Sequence, residues 1–287
     1  DGAGIHNDAA TTLSSVTLVG NNASGRNGGA IHNDGNLTLN RVTVSGNSAA
    51  KGAGIFTHGA ATLSLTNATV SGNIATDEGG GIHTNHAVTI TNSTIAFNEA
   101  TVSGAGILAD GTTTLLNTIL SDNLLSDSTP ENVANAGNIN SQGFNIDSDG
   151  TAGLGARGDL SGVSPALQSL ANNGGSTDTH ALSDSSVAIN SGSNNGAPGV
   201  DQRGLVRDGL PDIGAFESTV TKSKLYWTDL GTNAILRANL NGAAVQTLVT
   251  GVSNAAGVAV DAVGGKLYWS DGTNNSIRQA DLDGSNI

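Results

Sequence analysis

The sequence predicts an all-β protein: a right-handed, single-stranded parallel β-helix with coils of about 25 residues, followed by a short antiparallel β segment. Three observations predict this fold. A glycine-rich phrase occurs five times in the first part of the chain, asparagines recur at a nearly constant spacing, and aromatic residues make up only 3% of the sequence.

The glycine-rich phrase marks one coil at each occurrence. It reads GAGIHND at 2–8, GGAIHND at 28–34, GAGIFTH at 52–58, GGGIHTN at 79–85 and GAGILAD at 104–110. The asparagines recur every 25 or 26 residues, at Asn21, Asn47, Asn73, Asn98 and Asn123. A period of this length indicates a solenoid, in which each repeat contacts only its neighbours.

Positions counted back from these asparagines alternate in character. The apolar columns are Leu18, Val44, Val70, Ile95 and Leu120, and Leu13, Leu39, Leu65, Ile90 and Leu115; the hydroxyl columns are Thr12, Thr38, Ser64, Thr89 and Thr114, and Thr17, Thr43, Thr69 and Thr94. Such alternation is typical of strands with one buried face, and we expect about three short strands per coil. Parallel stacking buries each apolar column, and the rule for parallel crossovers predicts the right hand. The asparagines should form a ladder in which each amide bonds to the next coil.

Composition restricts both the core and the function. With 41 Gly and neither Cys nor Met, the core must be built from Val, Ile, Leu, Ala and Thr, and a disulfide framework is excluded. The formal net charge of −13 disfavours binding to nucleic acid. No apolar run is long enough to span a bilayer. Because Met is absent, we expect the chain to be a mature, clipped or partial product.

The repeats over 1–125 resemble those of the polymorphic outer-membrane proteins and, more broadly, the pectate-lyase-like β-helices. This resemblance implies the fold and says little about function, because the same coil occurs in lyases, adhesins and phage spikes.

Residues 126–218 form a second region of irregular coils that ends in a denser pattern. The stretches NNGG and THAL at 172–182, SSVAINSG at 185–192, DQRG at 201–204 and DIGAFE at 212–217 resemble the choice-of-anchor Q domain of bacterial surface proteins. The resemblance implies a module that closes the coil, without assigned chemistry. Its charged residues suit acid–base catalysis or, as we favour, ion pairs that tie the cap to the last coil: Asp201, Arg203, Arg207, Asp212 and Glu217.

The last region, 219–287, contains a different repeat. KLYWTD at 224–229 returns as KLYWSD at 266–271, and both repeats are similar to the YWTD repeats of the low-density-lipoprotein receptor family. That resemblance implies β-propeller blades and a structural role for Tyr226, Trp227 and Asp229 and their second-repeat counterparts. About one and a half repeats are present, too few to close a propeller of at least four blades.

Two interpretations of the chain ends follow, and both stay open. Either the chain is a piece of a longer protein, which is the simpler interpretation, or neighbouring subunits complete its ends in a head-to-tail filament.

Candidate ligand sites are few, and the sequence assigns no catalytic, cofactor-binding or metal-ligating residue. His6, His32 and His83 share one repeat position, but Phe56 interrupts that column, which favours histidines stacked on a strand. A mixed column, Asp8, Asp34, His58, Asn85 and Asp110, is interpreted as polar turn residues. The hydroxyl columns are interpreted as ordinary outward strand residues rather than as an ice-binding surface.

Calcium is the one cofactor left open. Asn145, Asp147, Asp149 and Gly150 have the spacing that begins a calcium loop, although Ala156 stands where that loop needs a glutamate. The alternative is a turn rich in Asn and Asp.

These observations predict a non-catalytic structural or adhesive segment of a bacterial extracellular or cell-surface protein, which is not an enzyme. Its partners would be other copies joined through the chain ends, or a surface glycan or protein. The competing hypothesis is a carbohydrate-active β-helix enzyme of the polysaccharide lyase or hydrolase class. Acids gathered with Arg or Lys on one exposed face would favour that alternative.

Overall fold

The computed structural model is all-β and describes residues 2, 4–207, 209–219, 224–239, 242, 245–252, 254–255, 257–262 and 264–287. Its first part is a parallel β-solenoid of about five regular coils, as the sequence predicts. Each regular coil contains four strands rather than the expected three.

The strands of the solenoid follow one another coil by coil. The first two coils comprise β1 (Ile5–Asn7), β2 (Thr11–Ser14), β3 (Thr17–Val19), β4 (Asn22–Asn27), β5 (Ile31–Asn33), β6 (Asn36–Asn40), β7 (Thr43–Ser45) and β8 (Ser48–Lys51). The next three comprise β9 (Ile55–Thr57), β10 (Thr62–Thr66), β11 (Thr69–Ser71), β12 (Ile74–Glu78), β13 (Ile82–Thr84), β14 (Val88–Thr91), β15 (Thr94–Ala96), β16 (Glu99–Ala100), β17 (Ile107–Ala109), β18 (Thr113–Leu116), β19 (Ile119–Ser121) and β20 (Leu124–Leu125). A less regular sixth coil comprises β21 (Val133–Ala134), the one-turn 3-10 helix Ala136–Asn138, β22 (Ile139–Ser141), β23 (Ile146–Asp147) and β24 (Leu160–Ser161).

Equivalent strands pair in register and form four parallel sheets, named A to D after the order of the strands in a coil. Ile5 pairs with Ile31 in sheet A, and Val70 pairs with Val44 and Ile95 in sheet C. Sheet D is the one that the sequence did not predict. Its inward column contains four alanines before Leu125, and alanines give a weak hydrophobic signal: Ala23, Ala49, Ala75 and Ala100.

The glycine-rich phrase is required by the corner before sheet A. Gly52 has a φ of +57°, and a Cβ there would lie 2.7 Å from the Cα of Phe56. Gly54 approaches the next coil so closely that a Cβ would lie 2.4 Å from the carbonyl oxygen of Gly81. The first glycine has a positive φ in all five phrases and therefore recurs with every coil, whereas the position of Gly54 is glycine in four phrases and Ala30 in the second.

The predicted asparagine ladder is confirmed and runs further than expected. Each Nδ2 donates to the Oδ1 of the asparagine in the next coil at 2.8–2.9 Å, from Asn21 through Asn47, Asn73 and Asn98 to Asn123. Asn123 then donates to Asn132 at 2.8 Å, and Asn132 donates to the carboxylate of Asp147 at 2.7 Å. A neutral amide row therefore ends on one buried carboxylate.

The region that follows the sixth coil, residues 162–219, packs along the side of the solenoid, and we call it the lateral region. The sequence had led us to expect a cap on the last coil. Its hairpin, β25 (Leu167–Ala171) with β26 (Thr179–Leu182), places His180 Nε2 2.8 Å from Ser71 Oγ on sheet C. Gln202 Nε2 donates to Thr43 Oγ1, and its Oε1 accepts from Thr69. The backbone N–H of Ala215 donates to Thr94. The region also covers the last coil, through Ile189 and Ile213 packed with Ile119 and Phe144.

The final region consists of two three-stranded antiparallel sheets, β27 (Lys224–Asp229), β28 (Ala234–Asn239) and β29 (Gln246–Thr250), then β30 (Val258–Asp261), β31 (Lys266–Asp271) and β32 (Ser276–Asp281). Arg157 of the sixth coil donates to the carbonyl oxygens of Leu248 and Gly284, which fixes these sheets against the end of the solenoid. Among the described residues, no helix has the length and apolar character needed to cross a membrane.

Candidate functional site

The most distinctive surface of the solenoid is the outward row of sheet A, which we call the histidine face. Its members pair in register from coil to coil: His6, His32, Phe56, His83 and Leu108. Consecutive rings lie in contact, with centroids 5.0–5.2 Å apart from His6 to His83. The predicted stacking of the histidines is therefore confirmed, and Phe56 continues the row instead of ending it.

The glycine corners create the space that these rings occupy. A Cβ on Gly28 would lie 2.7 Å from the Cα of His32, and a Cβ on Gly79 would lie 2.5 Å from the Cβ of His83. The backbone and Cβ of each residue therefore pack against the glycine four residues before it. As a result His32, Phe56 and His83 are buried although they face outward.

Asp34 gathers three imidazoles at the first end of this face. Its Oδ2 lies 3.2 Å from His6 Nε2 and 3.3 Å from His32 Nε2, and its Oδ1 lies 3.4 Å from His58 Nδ1. From the sequence, Asp34 and His58 were interpreted as turn residues without a connection to the histidine column. Both lie three positions after the coil isoleucine, two positions past the row, and that spacing was the available signal.

The three imidazoles meet at the Asp34 carboxylate. Within the part of the chain that the structure describes, no three or more His, Asp or Glu side chains are arranged to hold a metal ion.

A groove of about 610 Å³ opens at the other end of the histidine face, and Glu78, Asp110 and Glu131 line it. Lys51 Nζ lies 2.6 Å from Glu78 Oε2, and this hydrogen bond raises the pKa of Lys51. His83 Nε2 lies 3.4 Å from Asp110, whereas burial lowers the pKa of His83. The groove therefore contains three carboxylates, and the Lys51 ammonium group and the neutral His83 imidazole lie beside two of them.

The charged cluster of the lateral region is buried and internally bonded. The guanidinium of Arg203 lies 2.7 Å from Asp201, and that of Arg207 lies 2.8 Å from Glu217. Arg207 also donates to the side chain of Asn67 on the solenoid at 3.0 Å. These residues come together as the sequence suggested, and they tie the region to several coils along the side of the solenoid rather than to the last coil.

Burial changes the protonation of two acids in this cluster. Burial raises the pKa of Asp212 to about 6. Burial, together with the nearby Asp212 carboxylate, raises the pKa of Glu217 to about 8, against the opposing effect of Arg207. A raised carboxyl pKa suits a general acid, but Glu217 is only 4% exposed, and a substrate would have to displace the chain around it.

The residues of the calcium-like sequence serve other contacts. Asp147 accepts from Asn132 Nδ2 and from the N–H of Ala152, and Asp149 accepts from the N–H groups of Asn132 and Thr151. Asn145 turns the other way and donates to Ser141 and Asp159. Calcium binding stays a prediction, and a cation there would have to displace these donors.

We expected the threonine column of sheet C to be an exposed outward surface, and this expectation was wrong. Thr43, Thr69 and Thr94 are buried because the lateral region covers them. The other hydroxyl column, on sheet B, includes the exposed Thr38 and Thr89.

The YWTD signature residues have structural contacts here. Asp229 Oδ1 accepts from the N–H of Gly231, and Asp271 Oδ1 accepts from those of Thr273 and Asn274, so each aspartate closes the turn after its strand. Trp269 is buried in the core between the two sheets.

The comparisons with known proteins bear on this last region. Residues 223–262 match the family model of the low-density lipoprotein receptor repeat class B, which confirms the YWTD resemblance over that stretch. Neither a curated protein nor a solved structure matches the chain. The resemblances to polymorphic outer-membrane proteins and to the choice-of-anchor Q domain stay predictions. The chain is thus a parallel β-solenoid that carries a class B repeat.

Proposed function

We propose that this chain is a non-catalytic structural or adhesive segment of a bacterial extracellular or cell-surface protein, in which copies associate head to tail. The observation that supports the proposal is the burial of the charged cluster. The residues best suited to catalysis by type are held by hydrogen bonds within the lateral region, and Arg207 also bonds to Asn67 of the solenoid: Arg203, Arg207, Asp212 and Glu217. A catalytic group has to reach its substrate, whereas a structural group has to be held.

The proposed extracellular or cell-surface location rests on the composition of the chain and on the kind of repeat. A Cys-free, acidic solenoid needs no disulfides, because stacked coils and the asparagine ladder supply its cohesion. The resemblance of residues 1–217 to bacterial surface proteins supports the same location.

One observation favours the carbohydrate-active alternative. Glu78, Asp110 and Glu131 line one open groove, and Lys51 bonds to Glu78 beside it. Carboxylates together with a cationic side chain are a combination that suits a lyase or hydrolase of extended glycans.

An assay of product release from polysaccharides distinguishes the structural function from the carbohydrate-active alternative. The chain would be incubated with neutral and acidic polysaccharides, while new reducing ends and the ultraviolet absorbance of unsaturated products are measured. We expect no release above the buffer blank. Glu99→Gln is the control, because Glu99 lies in the next strand of sheet D and does not line the groove. Release that Glu78→Gln abolishes and Glu99→Gln leaves intact would contradict the proposal and establish the alternative.

A further inference from the structure

Two strands of each class B-type sheet are repeats of each other at a constant step: β27 corresponds to β31, and β28 to β32. Lys224 corresponds to Lys266, Trp227 to Trp269, and Ile235 to Ile277. Register divides each sheet into two faces. One contains Leu225, Trp227 and Leu236 in the first sheet, and we call it the Leu225 face. The opposite face of the second sheet contains Tyr268, Ser270, Ile277 and Gln279, and we call it the Ile277 face.

Equivalent residues of the two sheets have opposite burial. Ile235 is 0% exposed, whereas its counterpart Ile277 is 80% exposed. Conversely, Leu267 is 0% exposed, whereas its counterpart Leu225 is 45% exposed. At these two pairs of positions, each sheet buries the large apolar side chain that the other exposes.

The two buried faces share one apolar cluster. Ile235 and Val249 of the first sheet belong to the same cluster as Leu267, Trp269 and Ala280 of the second. Arg237 of the first sheet also donates to the carbonyl oxygen of Leu282, directly after the second sheet. The contact within the chain thus joins a Leu-Trp face to a Tyr-Ile face.

We infer that the Ile277 face of one molecule binds the Leu225 face of a second copy of this chain. One molecule carries both halves of a contact that it already makes once between its own sheets. Arg237 in the covered first sheet corresponds to the neutral Gln279 in the open second sheet, so covering the Ile277 face buries no guanidinium. A contact between two different faces does not close on itself and extends from copy to copy.

This inference rests on the proposed function, because it names the surfaces through which the copies of that structural segment associate. Solvent-exposed apolar side chains at single positions are ordinary; here the two exposed faces correspond to faces that already pack together.

Sedimentation velocity on the full chain tests the contact, from about 1 µM to about 1 mM, the range in which small protein contacts dissociate. We expect the wild-type sedimentation coefficient to rise with concentration. Ile277→Asp and Leu225→Asp should each abolish the rise, because each places a charge in the contact. An equimolar mixture of the two variants should form a one-to-one dimer and nothing larger, since each supplies the intact face that the other lacks.

Val19→Asp is the matched control, because Val19 is 63% exposed on the first coil, far from these sheets. Leu225→Gln replaces Leu225→Asp if the melting temperature of the latter falls. A wild-type chain that stays monomeric throughout overturns the inference, as does association that Ile277→Asp abolishes and both Leu225 variants leave intact, which indicates a symmetric contact. A monomeric chain overturns this inference together with the association of copies, whereas association that both Leu225 variants leave intact overturns this inference alone. The non-catalytic role is tested separately, by product release from polysaccharides.

Discussion

The solenoid interior and the lateral region satisfy buried polar groups by different chemistry. Along the solenoid, neutral asparagine amides bond to one another coil after coil, and a single carboxylate, Asp147, ends the row. Along the side, arginines and carboxylates form one buried network around Arg207 and Glu217.

The two networks differ in how their contributions to stability depend on pH. A neutral amide ladder carries no titrating group before its terminus, so its contribution to stability does not change with pH. A buried carboxyl group costs more to ionise than an exposed one, so attachment of the lateral region does depend on pH. We therefore expect a stable repeat unit whose lateral cover responds to the environment.

Removing one step of the ladder should have the largest effect. Asn73 accepts from the backbone and side chain of Asn47 and donates to Asn98 and Val44. Asn73→Ala leaves several buried groups without partners, and we expect the free energy of unfolding to fall by about 3–5 kcal/mol. Chemical denaturation followed by circular dichroism measures the change.

Asn36→Ala is the control for that substitution. Asn36 accepts a hydrogen bond from Thr62 at the exposed edge of sheet B, so its loss should change the unfolding free energy by less than about 0.5 kcal/mol. Equal losses for Asn36→Ala and Asn73→Ala would contradict a special role for the ladder.

The lateral cluster should give a smaller effect that depends on pH. The pKa of Glu217 is raised to about 8, so the folded chain holds a proton that the unfolded chain has released above about pH 5. Stability should therefore be greater at pH 6 than at pH 8, by about 1–3 kcal/mol. Thermal unfolding at a series of pH values measures this trend.

Glu217→Gln keeps the shape of the side chain and removes the titrating proton. We expect this variant to flatten the dependence of stability on pH between pH 6 and 8. The residual slope would come from Asp212, whose pKa is raised to about 6. A wild-type chain that gains stability as the pH rises over this interval would show that the sign is wrong.

The regular coils were predictable because each feature recurs with the period. The Ile and Val columns, the glycine corner and Asn21 to Asn123 each repeat in every coil, so one observation is checked several times within the sequence. Asn132 and Asp147 continue the ladder at irregular spacings, nine and fifteen residues on, and periodicity could not reveal them.

Contacts between regions could not be predicted from the sequence, and the reason is physical. Nothing local to Thr69 distinguishes an outward hydroxyl from one covered by Gln202, which lies 133 residues further along the chain. Likewise, Asp34 joins His6, His32 and His58 from three coils, and the assignment of Asp34 to a turn concealed that convergence.

Native-state hydrogen exchange of the ladder amides tests most directly whether the solenoid is one continuous structural unit. The backbone N–H groups of Asn47, Asn73 and Asn98 each donate to the Oδ1 of the next asparagine. If the ladder joins the coils cooperatively, these amides exchange only through global unfolding, with the same free energy of opening for all three. Separate, graded opening energies that fall towards the first coil would contradict the account.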